Sequence, residues 1–405
     1  MPQITPACRI WRCLLTLRAF ARATLTLVAR PALALCLGAP IATAQEMTQS
    51  FGPDIPRPLV VRSTTDLKIF APVLETFLRT HPDITIRYEQ WGSNALHERT
   101  LNECQSLEDV ASPLRPDERA DIVISSAVHQ MVELVNLSCA TPYRSAQTEA
   151  LPDALRWRDE VWGITREAAV IIYNRALVPQ SDIPATRFAL LDLMRPIGTP
   201  YEGRVATYDI EASGLGYLFA FKDSQEASTF GALLESFDRS GAIATCCSAE
   251  IIDGVGEGRY LLAYNVLGSY ALAAQDPRVG IILPQDYTLV LSRAFIMPRH
   301  TNSLAGDAPD AEDPARAQTQ RWATQLLDFL LSAQGRDALT SVHLMSPVLS
   351  DQGAAEFSVS PSTLRPIELL PTLLVARDSL TRGQFIARWR DTFTQDPSER
   401  RRDRN

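Results

Sequence analysis

The sequence predicts an α/β protein with two lobes, and three observations support that prediction. Apolar strands alternate with amphipathic helices from residue 58 onward, a rhythm typical of parallel sheets covered by helices. A second α/β segment follows within residues 175–260. Two long β-rich runs, Val161–Asn174 and 288–298, flank that segment. Runs of this length suit a chain that passes from one lobe to the other and later returns.

The first segment gives the clearest periodic signals. A short apolar strand at Leu59–Val61 precedes a helix whose apolar residues recur at helical spacing from Leu67 to Phe77. Residues 45–57 before it are expected to form a loosely tethered start. The further elements expected here are a strand at Ile84–Tyr88, a helix at about 95–107, a strand at 121–125 and a helix through 128–135.

The second segment and the C-terminal part complete the predicted organisation. Strands are expected at 203–208, 261–264 and 280–283, with a helix beginning at Ser213. Residues 301–316 are expected to form a surface loop before a helix at 321–331, and Ser398–Asn405 a frayed tail. The predicted domains are a signal peptide at 1–44, a first lobe at 58–163 plus 287–350, a second lobe at 164–286 and a C-terminal extension at 351–405.

The N-terminus predicts export. Five arginines and no acidic residue precede Glu46, and the apolar run from Pro31 to Ile41 ends at Ala42-Thr43-Ala44, which fits signal-peptide cleavage. The run is too short for a stable transmembrane helix, although retention as an uncleaved anchor stays open. No later stretch is long and apolar enough to span a bilayer. The predicted location is therefore the periplasm, without membrane insertion after cleavage.

Charge and cysteine content narrow the class of protein. The net charge is −8, and loss of the leader would bring it to −13. An acidic chain disfavours nucleic acid as a partner, because phosphate backbones require Lys and Arg. A Cys104–Cys139 bridge is compatible with an oxidising compartment, but four cysteines allow three connectivities. Cys246-Cys247 is interpreted as a pair of small apolar residues rather than a redox or metal site.

Hydroxyl residues follow three apolar strands just before a helix. In an open parallel sheet, ligands bind beyond the carboxyl ends of the strands, where helix N-termini offer free N–H groups. Hydroxyl donors added there favour an anion site. Ordinary N-capping explains each position equally well when it is taken alone. The candidate residues are Ser63, Thr64, Thr65, Ser125, Ser126, Ser213 and Gly214.

A second set of candidates adds aromatic, amide and charged groups. Tyr264 and Asn265 lie at a strand-to-helix junction, where they could bind a polar ligand or serve the core. Tyr208, Asp209 and Glu167 are candidate partners for ligand hydroxyl groups. Arg293, in the second β-rich run, could pair with a carboxylate or phosphate.

Signatures of common enzyme classes are missing from the sequence. It contains no nucleophile-elbow motif, no phosphate-binding P-loop and no H-E-x-x-H zinc motif. The five histidines match no metal-site spacing. The sequence therefore predicts no enzyme activity, no cofactor and no metal site.

Five motifs occur in a fixed order along the chain. They are Ser63-Thr64-Thr65-Asp66-Leu67-Lys68, Asp121-Ile122-Val123-Ile124-Ser125-Ser126, Tyr208-Asp209-Ile210-Glu211-Ala212-Ser213-Gly214, Tyr264-Asn265-Val266-Leu267-Gly268-Ser269-Tyr270 and Asp286-Tyr287-Thr288-Leu289. With these motifs the chain resembles, over about residues 58–390, the periplasmic solute-binding proteins of ABC transporters. It looks closest to the branch that holds ferric-ion binders, hexose-phosphate binders and the phosphoglycerate transport regulatory protein.

The resemblance implies a type II periplasmic binding protein fold that closes on its ligand by a hinge, here near residues 164–173 and 286–296. Because Tyr264 is followed by Asn265 rather than a second tyrosine, a small anionic organic solute is favoured over ferric ion. The implied partner of this expected monomer is an ABC permease or, alternatively, an envelope sensor kinase. An envelope enzyme is the least supported alternative.

Overall fold

The computed structural model describes residues 45–107, 119–226, 228–300, 314–346, 349 and 363–393. Its strands form two seven-stranded sheets, each covered by helices. Each sheet with its helices is called a lobe below. The predicted signal peptide 1–44, most of the predicted loop 301–316 and the predicted tail 398–405 lie outside the described residues.

The first lobe is built on a sheet in the order β1-β3-β2-β4-β13-β6-β5. β2 runs parallel to both β3 and β4, whereas β13 is antiparallel to its neighbours β4 and β6. The inner parallel strands β2 and β4 are wholly buried, as expected for a sheet with helices on its faces, whereas β3 is partly exposed. The strands are β1 Gln45–Phe51, β2 Leu59–Ser63, β3 Ile86–Trp91, β4 Ile122–Ser125, β5 Arg156–Trp157, β6 Val161–Gly163 and β13 Ala294–Ile296.

Helices of the first lobe follow its parallel strands. Apolar side chains on one face of α1, among them Phe70, Val73 and Phe77, are fully buried in the core. The helices are α1 Leu67–Thr80, α2 Ser93–Gln105, α3 Val128–Asn136, α4 Ala146–Glu149, α10 Pro314–Leu331 and α11 Ala333–Ser341.

The second lobe has its sheet in the order β14-β12-β7-β10-β8-β9, with β11 also paired to β7. The strands are β7 Glu167–Asn174, β8 Val205–Tyr208, β9 Ile243–Thr245, β10 Leu262–Leu267, β11 Val279–Ile282, β12 Thr288–Leu291 and β14 Leu364–Pro366. The helices are α5 Arg187–Met194, α6 Gly214–Glu226, α7 Phe230–Ser240, α8 Ser248–Gly256, α9 Gly268–Ala273 and α12 Ser379–Phe393.

Two short crossings join the lobes, and they hydrogen-bond to each other. Residues 164–166 connect β6 to β7, and Ser292 with Arg293 connects β12 to β13. The Ile164 amide donates to the Arg293 carbonyl at 3.0 Å, and the Arg293 amide donates to Thr165 Oγ1 at 2.8 Å. Each predicted long β-run is therefore two strands, because the chain leaves one sheet and enters the other within two or three residues.

Two strands belong to a different sheet from the one that the predicted domain boundaries imply. β12 pairs with β7 and β14 in the second sheet, although residues 287–350 were assigned to the first lobe. The predicted C-terminal extension 351–405 contributes β14 to that same sheet. The division of the chain into functional domains stays a prediction.

The C-terminal segment contacts both lobes. A 3₁₀ turn at Pro371–Arg377 packs against α3, and Arg377 pairs with Glu133 of that helix at 2.8 Å. α12 packs against α7 in the second lobe, and the Tyr217 hydroxyl of α6 donates to the Ala376 carbonyl at 2.9 Å. The segment thus links the two lobes at a point separate from the crossings.

Two expectations from sequence are wrong. Gln45–Phe51 is strand β1, antiparallel to β3, with Phe51 buried at its end, so it is not a loose start. Cys246 and Cys247 are exposed and disulfide-bonded to each other rather than packed as small apolar residues. The structure also contains the Cys104–Cys139 bridge, which joins α2 to the segment that follows α3. Within the described ranges, no helix is long and apolar enough to cross a membrane.

Candidate functional site

The predicted hydroxyl residues of the first lobe meet where β2 and β4 end side by side. Thr64 Oγ1 lies 3.2 Å from Ser126 Oγ and accepts the Ser126 amide at 3.0 Å. Ser63 Oγ and Ser125 Oγ each accept the amide of the residue two positions later, which fixes the two turns. Thr64 is partly exposed, whereas the other hydroxyls are buried. The structure therefore brings these five residues, including Thr65, to one edge of the sheet.

Three helices of the first lobe begin at this edge, and their N-cap residues make no side-chain capping bond. This holds for α1, α2 and α3, and also for α7 and α8 in the second lobe. In α1, however, Gln90 Oε1 accepts the Leu67 amide at 2.8 Å. By contrast, Ser145, Thr186 and Ser332 cap α4, α5 and α11. The starts of α2 and α3 thus leave first-turn amide N–H groups available to a ligand, and all three helices direct the positive ends of their dipoles to this edge.

The second lobe approaches this edge through α6. The Gly214 amide donates to Ser93 Oγ at 2.9 Å, and Asn94 Nδ2 donates to the Glu211 carbonyl at 2.8 Å. A Cβ on Gly214 would lie 2.8 Å from Gln130 Nε2 and 3.0 Å from the Ala127 Cβ, so a larger residue here would have to displace these first-lobe neighbours. Ser213 is the ordinary cap of α6, because its Oγ accepts the Gly216 amide at 3.0 Å. The lobes are therefore in contact across the cleft.

A tyrosine from the second lobe makes another contact across the cleft. The Tyr270 hydroxyl accepts the Asp66 amide and bonds the Asp66 carboxylate, both at 3.0 Å. Burial raises the pKa of Tyr270 well above its ordinary value, so the hydroxyl stays protonated.

Arg293 and Glu167 form a buried ion pair at the crossings. Arg293 Nε and Nη2 bond the two Glu167 carboxylate oxygens at 2.9 and 3.1 Å, and Nη1 donates to Thr65 Oγ1 at 3.1 Å. Ser269 and Thr165 also donate to that carboxylate. Both charged side chains are at most 1% exposed. The positive charge of Arg293, which was expected to face a ligand, is therefore neutralised by the Glu167 carboxylate.

The environment of Arg293 keeps its charge permanent. Burial by itself would lower the pKa of the guanidinium, but attraction to the Glu167 carboxylate outweighs that effect and raises the pKa. The pair thus acts as a fixed polar connection. It joins the second lobe, through Glu167, to the Thr65 loop of the first.

Tyr264 and Asn265 lie in a different network inside the second lobe. Tyr264 Oη and Asn265 Nδ2 donate to Asp223 Oδ2 at 2.6 and 2.5 Å, and Arg187 Nε donates to Tyr264 Oη at 2.6 Å. Tyr287 donates to the other Asp223 oxygen at 2.8 Å. Tyr264 and Asn265 therefore have hydrogen-bond partners inside the second lobe. They lie away from the hydroxyl cluster, by which we mean Ser63, Thr64, Thr65, Ser125 and Ser126.

Tyr208 is the last residue of β8 in the second lobe, and Asp209 follows it. Tyr208 is buried, bonds Ser248 Oγ at 2.6 Å and accepts the Leu267 amide at 3.2 Å. Burial raises its pKa to about 12. Asp209 Oδ1 accepts the amides of Glu211 and Ala212, which shapes the loop that contacts the first lobe.

Sequence reasoning missed three polar residues at the cleft. Ser63 and Ser125 are the last residues of β2 and β4, and Ser93 and Asn94 come just after the end of β3. A polar residue between a strand and the next helix was therefore the available signal. Gln130 donates to Asn94 Oδ1 at 2.8 Å, while its own Oε1 is buried without a hydrogen-bond partner. A buried acceptor without a partner is unusual and indicates a position that a donor on a ligand could complete.

Comparison with known proteins supports the fold. No family model and no curated protein sequence matches the chain. A solved substrate-binding protein of an ABC transporter from Agrobacterium tumefaciens matches with a TM-score of 0.72 and 28% identity, covering 86% of this chain and 98% of its own. Apo ferric ion-binding protein A from Pasteurella haemolytica matches with a TM-score of 0.60 and 18% identity, covering 84% and 99%.

A third structure, the periplasmic binding protein AfuA from Actinobacillus pleuropneumoniae with bound fructose-6-phosphate, has a TM-score of 0.58 and 12% identity, covering 84% of this chain and 100% of its own. These matched structures are binding proteins rather than enzymes, in agreement with the prediction from sequence. The chain has the fold of the two-lobed periplasmic substrate-binding proteins of ABC transporters.

Proposed function

We propose that the protein captures a small anionic organic solute, phosphorylated or carboxylated, and delivers it to an ABC importer. The observation that carries this proposal is that α1, α2 and α3 begin at the edge where the Thr64 and Ser126 hydroxyls meet, and that the start of α6 from the second lobe contacts the start of α2 there. Helix N-termini attract anions through their unpaired amides and their dipoles.

The hydroxyl cluster and the pairing of Arg293 with Glu167 determine which groups could hold the anion. Because Glu167 neutralises Arg293, the donors for a ligand are main-chain amides and the hydroxyls of Thr64 and Ser126. The net charge of −8 gives an overall field that opposes an approaching anion. Binding therefore depends on these local donors. The ligand class is also compatible with a matched structure that is described as holding fructose-6-phosphate.

The first experiment identifies the solute. Mass spectrometry of small molecules released from the folded, purified protein should yield an organic phosphate or carboxylate. Calorimetry then compares that anion with its uncharged analogue and with ferric ion. Tight binding of the anion alone supports the proposal. Equal binding of the uncharged analogue, or binding of ferric ion alone, contradicts it.

A matched pair of variants tests the proposed cleft. Ser126→Ala should weaken binding of the identified anion by about tenfold or more, because a hydrogen bond to a charged group contributes about 1.5–3 kcal/mol. Ser341→Ala removes an exposed hydroxyl at the end of α11 and should leave the affinity unchanged. Equal affinities of the two variants would rule out Ser126 as a ligand contact.

Delivery to an importer also requires export, which the N-terminus predicts. N-terminal sequencing of the protein from the envelope fraction should give a chain that starts at Gln45. A chain that still starts near Met1 would contradict cleavage. An uptake assay in cells lacking the gene separates transport from signalling to a sensor kinase, because only transport predicts loss of solute uptake.

A further inference from the structure

The adjacent disulfide Cys246–Cys247 is not explained by stability. In the chain-entropy account a disulfide stabilises by closing a loop, and a bond between neighbouring residues closes none. The Cys104–Cys139 bridge, by contrast, spans 35 residues and is buried, so it closes a loop of the kind that this account predicts to be stabilising. Cys246 and Cys247 are instead exposed, and exposed disulfides are the ones that exchange readily with thiols.

The two sulfur atoms lie beside a carboxylate. Both Sγ atoms and a carboxylate oxygen of Glu250 are within 4.8 Å of one another, and all three residues are exposed. Cys246 Sγ is 3.6 Å from Glu250 Oε2, and the Thr245 hydroxyl donates to that same oxygen, which orients it. One strand end and the first turn of one helix thus hold three potential metal ligands.

The chemistry of the three ligands selects the class of cation. Cys247 is the N-cap residue of α8, so the two sulfur atoms lie at the start of that helix. Thiolates bind Zn²⁺, Cd²⁺ and Cu⁺ in preference to hard cations such as ferric ion.

We propose that reduction of the Cys246–Cys247 bond opens a site for one thiophilic cation, held by two thiolates and Glu250. A dithiol supplies two electrons and two protons, so that the Sγ–Sγ bond breaks, two thiols form and the dithiol becomes a disulfide. The cation then displaces both thiol protons and binds both sulfur atoms. The Glu250 carboxylate is the third ligand, and solvent completes the coordination.

This site lies one loop away from the cleft. β9 runs parallel to β8, and the Thr245 carbonyl accepts the Asp209 amide at 2.8 Å. Asp209 begins the loop whose Glu211 carbonyl contacts Asn94 of the first lobe. The ligands of the proposed cation site are thus separate from the hydroxyl cluster, and the site does not depend on the identity of the solute.

Cadmium titration of the reduced protein tests the proposal. The full chain carries Cys8→Ser, Cys13→Ser and Cys36→Ser, so that four cysteines remain. A phosphine reductant is used because it contributes no thiol. Alkylation with mass spectrometry identifies the reduced cysteines, and circular dichroism reports the fold. The expected result is one Cd²⁺ per reduced chain with an ultraviolet sulfur-to-cadmium charge-transfer band, and none for the oxidised chain.

Variants separate this site from other thiols. Cys246→Ser with Cys247→Ser should abolish the band while retaining Cys104 and Cys139, so any signal from that bridge remains visible as background. Glu250→Gln should weaken Cd²⁺ binding by about tenfold, a loss typical of removing a group that supports a metal site. Glu235→Gln, an exposed position on α7, should not change it. Absence of the band from the reduced chain, or its full persistence in the double-serine variant, overturns the proposal.

Discussion

Two buried arginines, Arg187 and Arg293, occupy similar surroundings but connect different parts of the molecule. Each has a tyrosine ring near its guanidinium and hydrogen bonds to a buried carboxylate. The Arg187 partners Asp223, Tyr264, Asp286 and Tyr287 all belong to the second lobe. The partners of Arg293 come from both lobes, because Thr65 lies in the first. Burial and charge are thus similar, and only topology shows which arginine couples the lobes.

The largest effect is expected from Arg187→Met. It leaves two carboxylates, Asp223 and Asp286, without their positive partner, and breaking a buried pair costs about 3–5 kcal/mol. Urea unfolding measures this loss. Arg239→Met is the matched control, because the Arg239–Glu235 pair is exposed and should contribute less than about 1 kcal/mol. Equal losses in the two variants would contradict the assigned role of Arg187.

Arg293→Met should cost about 3 kcal/mol, at the lower end of the range, because one carboxylate loses its partner and hydroxyls still donate to it. Hydrogen exchange sharpens the comparison. Arg293→Met should speed exchange in the Ser63–Asp66 loop of the first lobe, whereas Arg187→Met should leave that loop unchanged. If both variants affect the loop equally, the two arginines do not differ in coupling.

A smaller effect concerns His129, whose ring lies 5.4 Å from that of Tyr217 in the second lobe. Burial, with repulsion from Arg377, His97 and Arg382, lowers the pKa of His129 well below 6.5. The unfolded chain therefore takes up the proton first as pH falls. Below about pH 6.5 the folded state should lose up to about 1.4 kcal/mol per pH unit.

His129→Gln should flatten that part of the pH profile, measured as the free energy of unfolding by urea at pH 7.5, 6.5 and 5.5. The control is His343→Gln, which alters a histidine outside this contact. An unchanged slope in His129→Gln would assign the acid sensitivity to other groups.

The smallest effect is expected from Ser93→Ala. Ser93 Oγ accepts the Gly214 amide across the cleft and is only partly buried, so its loss should cost about 0.5–1.5 kcal/mol. Small-angle scattering should show a larger radius of gyration as the lobes separate more often. An unchanged radius together with an unchanged stability would show that this contact does not hold the lobes together.

Local patterns predicted the elements but not the long-range pairs. Helical spacing from Leu67 to Phe77 predicted α1, and apolar strand ends followed by serines predicted the edge where Thr64 meets Ser126. The Arg293–Glu167 pair joins residues 126 positions apart, and no local period reports such a contact. The sequence therefore suggested that the Arg293 charge could pair with a ligand, whereas in the structure Glu167 pairs with it.

Other differences have equally specific causes. Tyr264 and Asn265 were expected at a strand-to-helix junction, which suggested a ligand contact, but they lie in the middle of β10. Asn265 has a left-handed backbone (φ 58°) and the pairing of β10 with β7 shifts at this point. At this irregular point of the strand, both side chains donate hydrogen bonds to Asp223. Cys246-Cys247 was judged by motif spacing alone, which cannot represent a bond between neighbouring residues.

The first sheet cannot be completed during synthesis until β13 has been made. β13 lies between β4 and β6, and it pairs with both of them. Until residues 294–296 emerge, the facing edges of β4 and β6 have no partner, although both strands precede residue 164. Unpaired edges are templates for pairing with other chains. A nascent chain that stalls before residue 294 thus carries a divided first sheet and the aggregation hazard that comes with it.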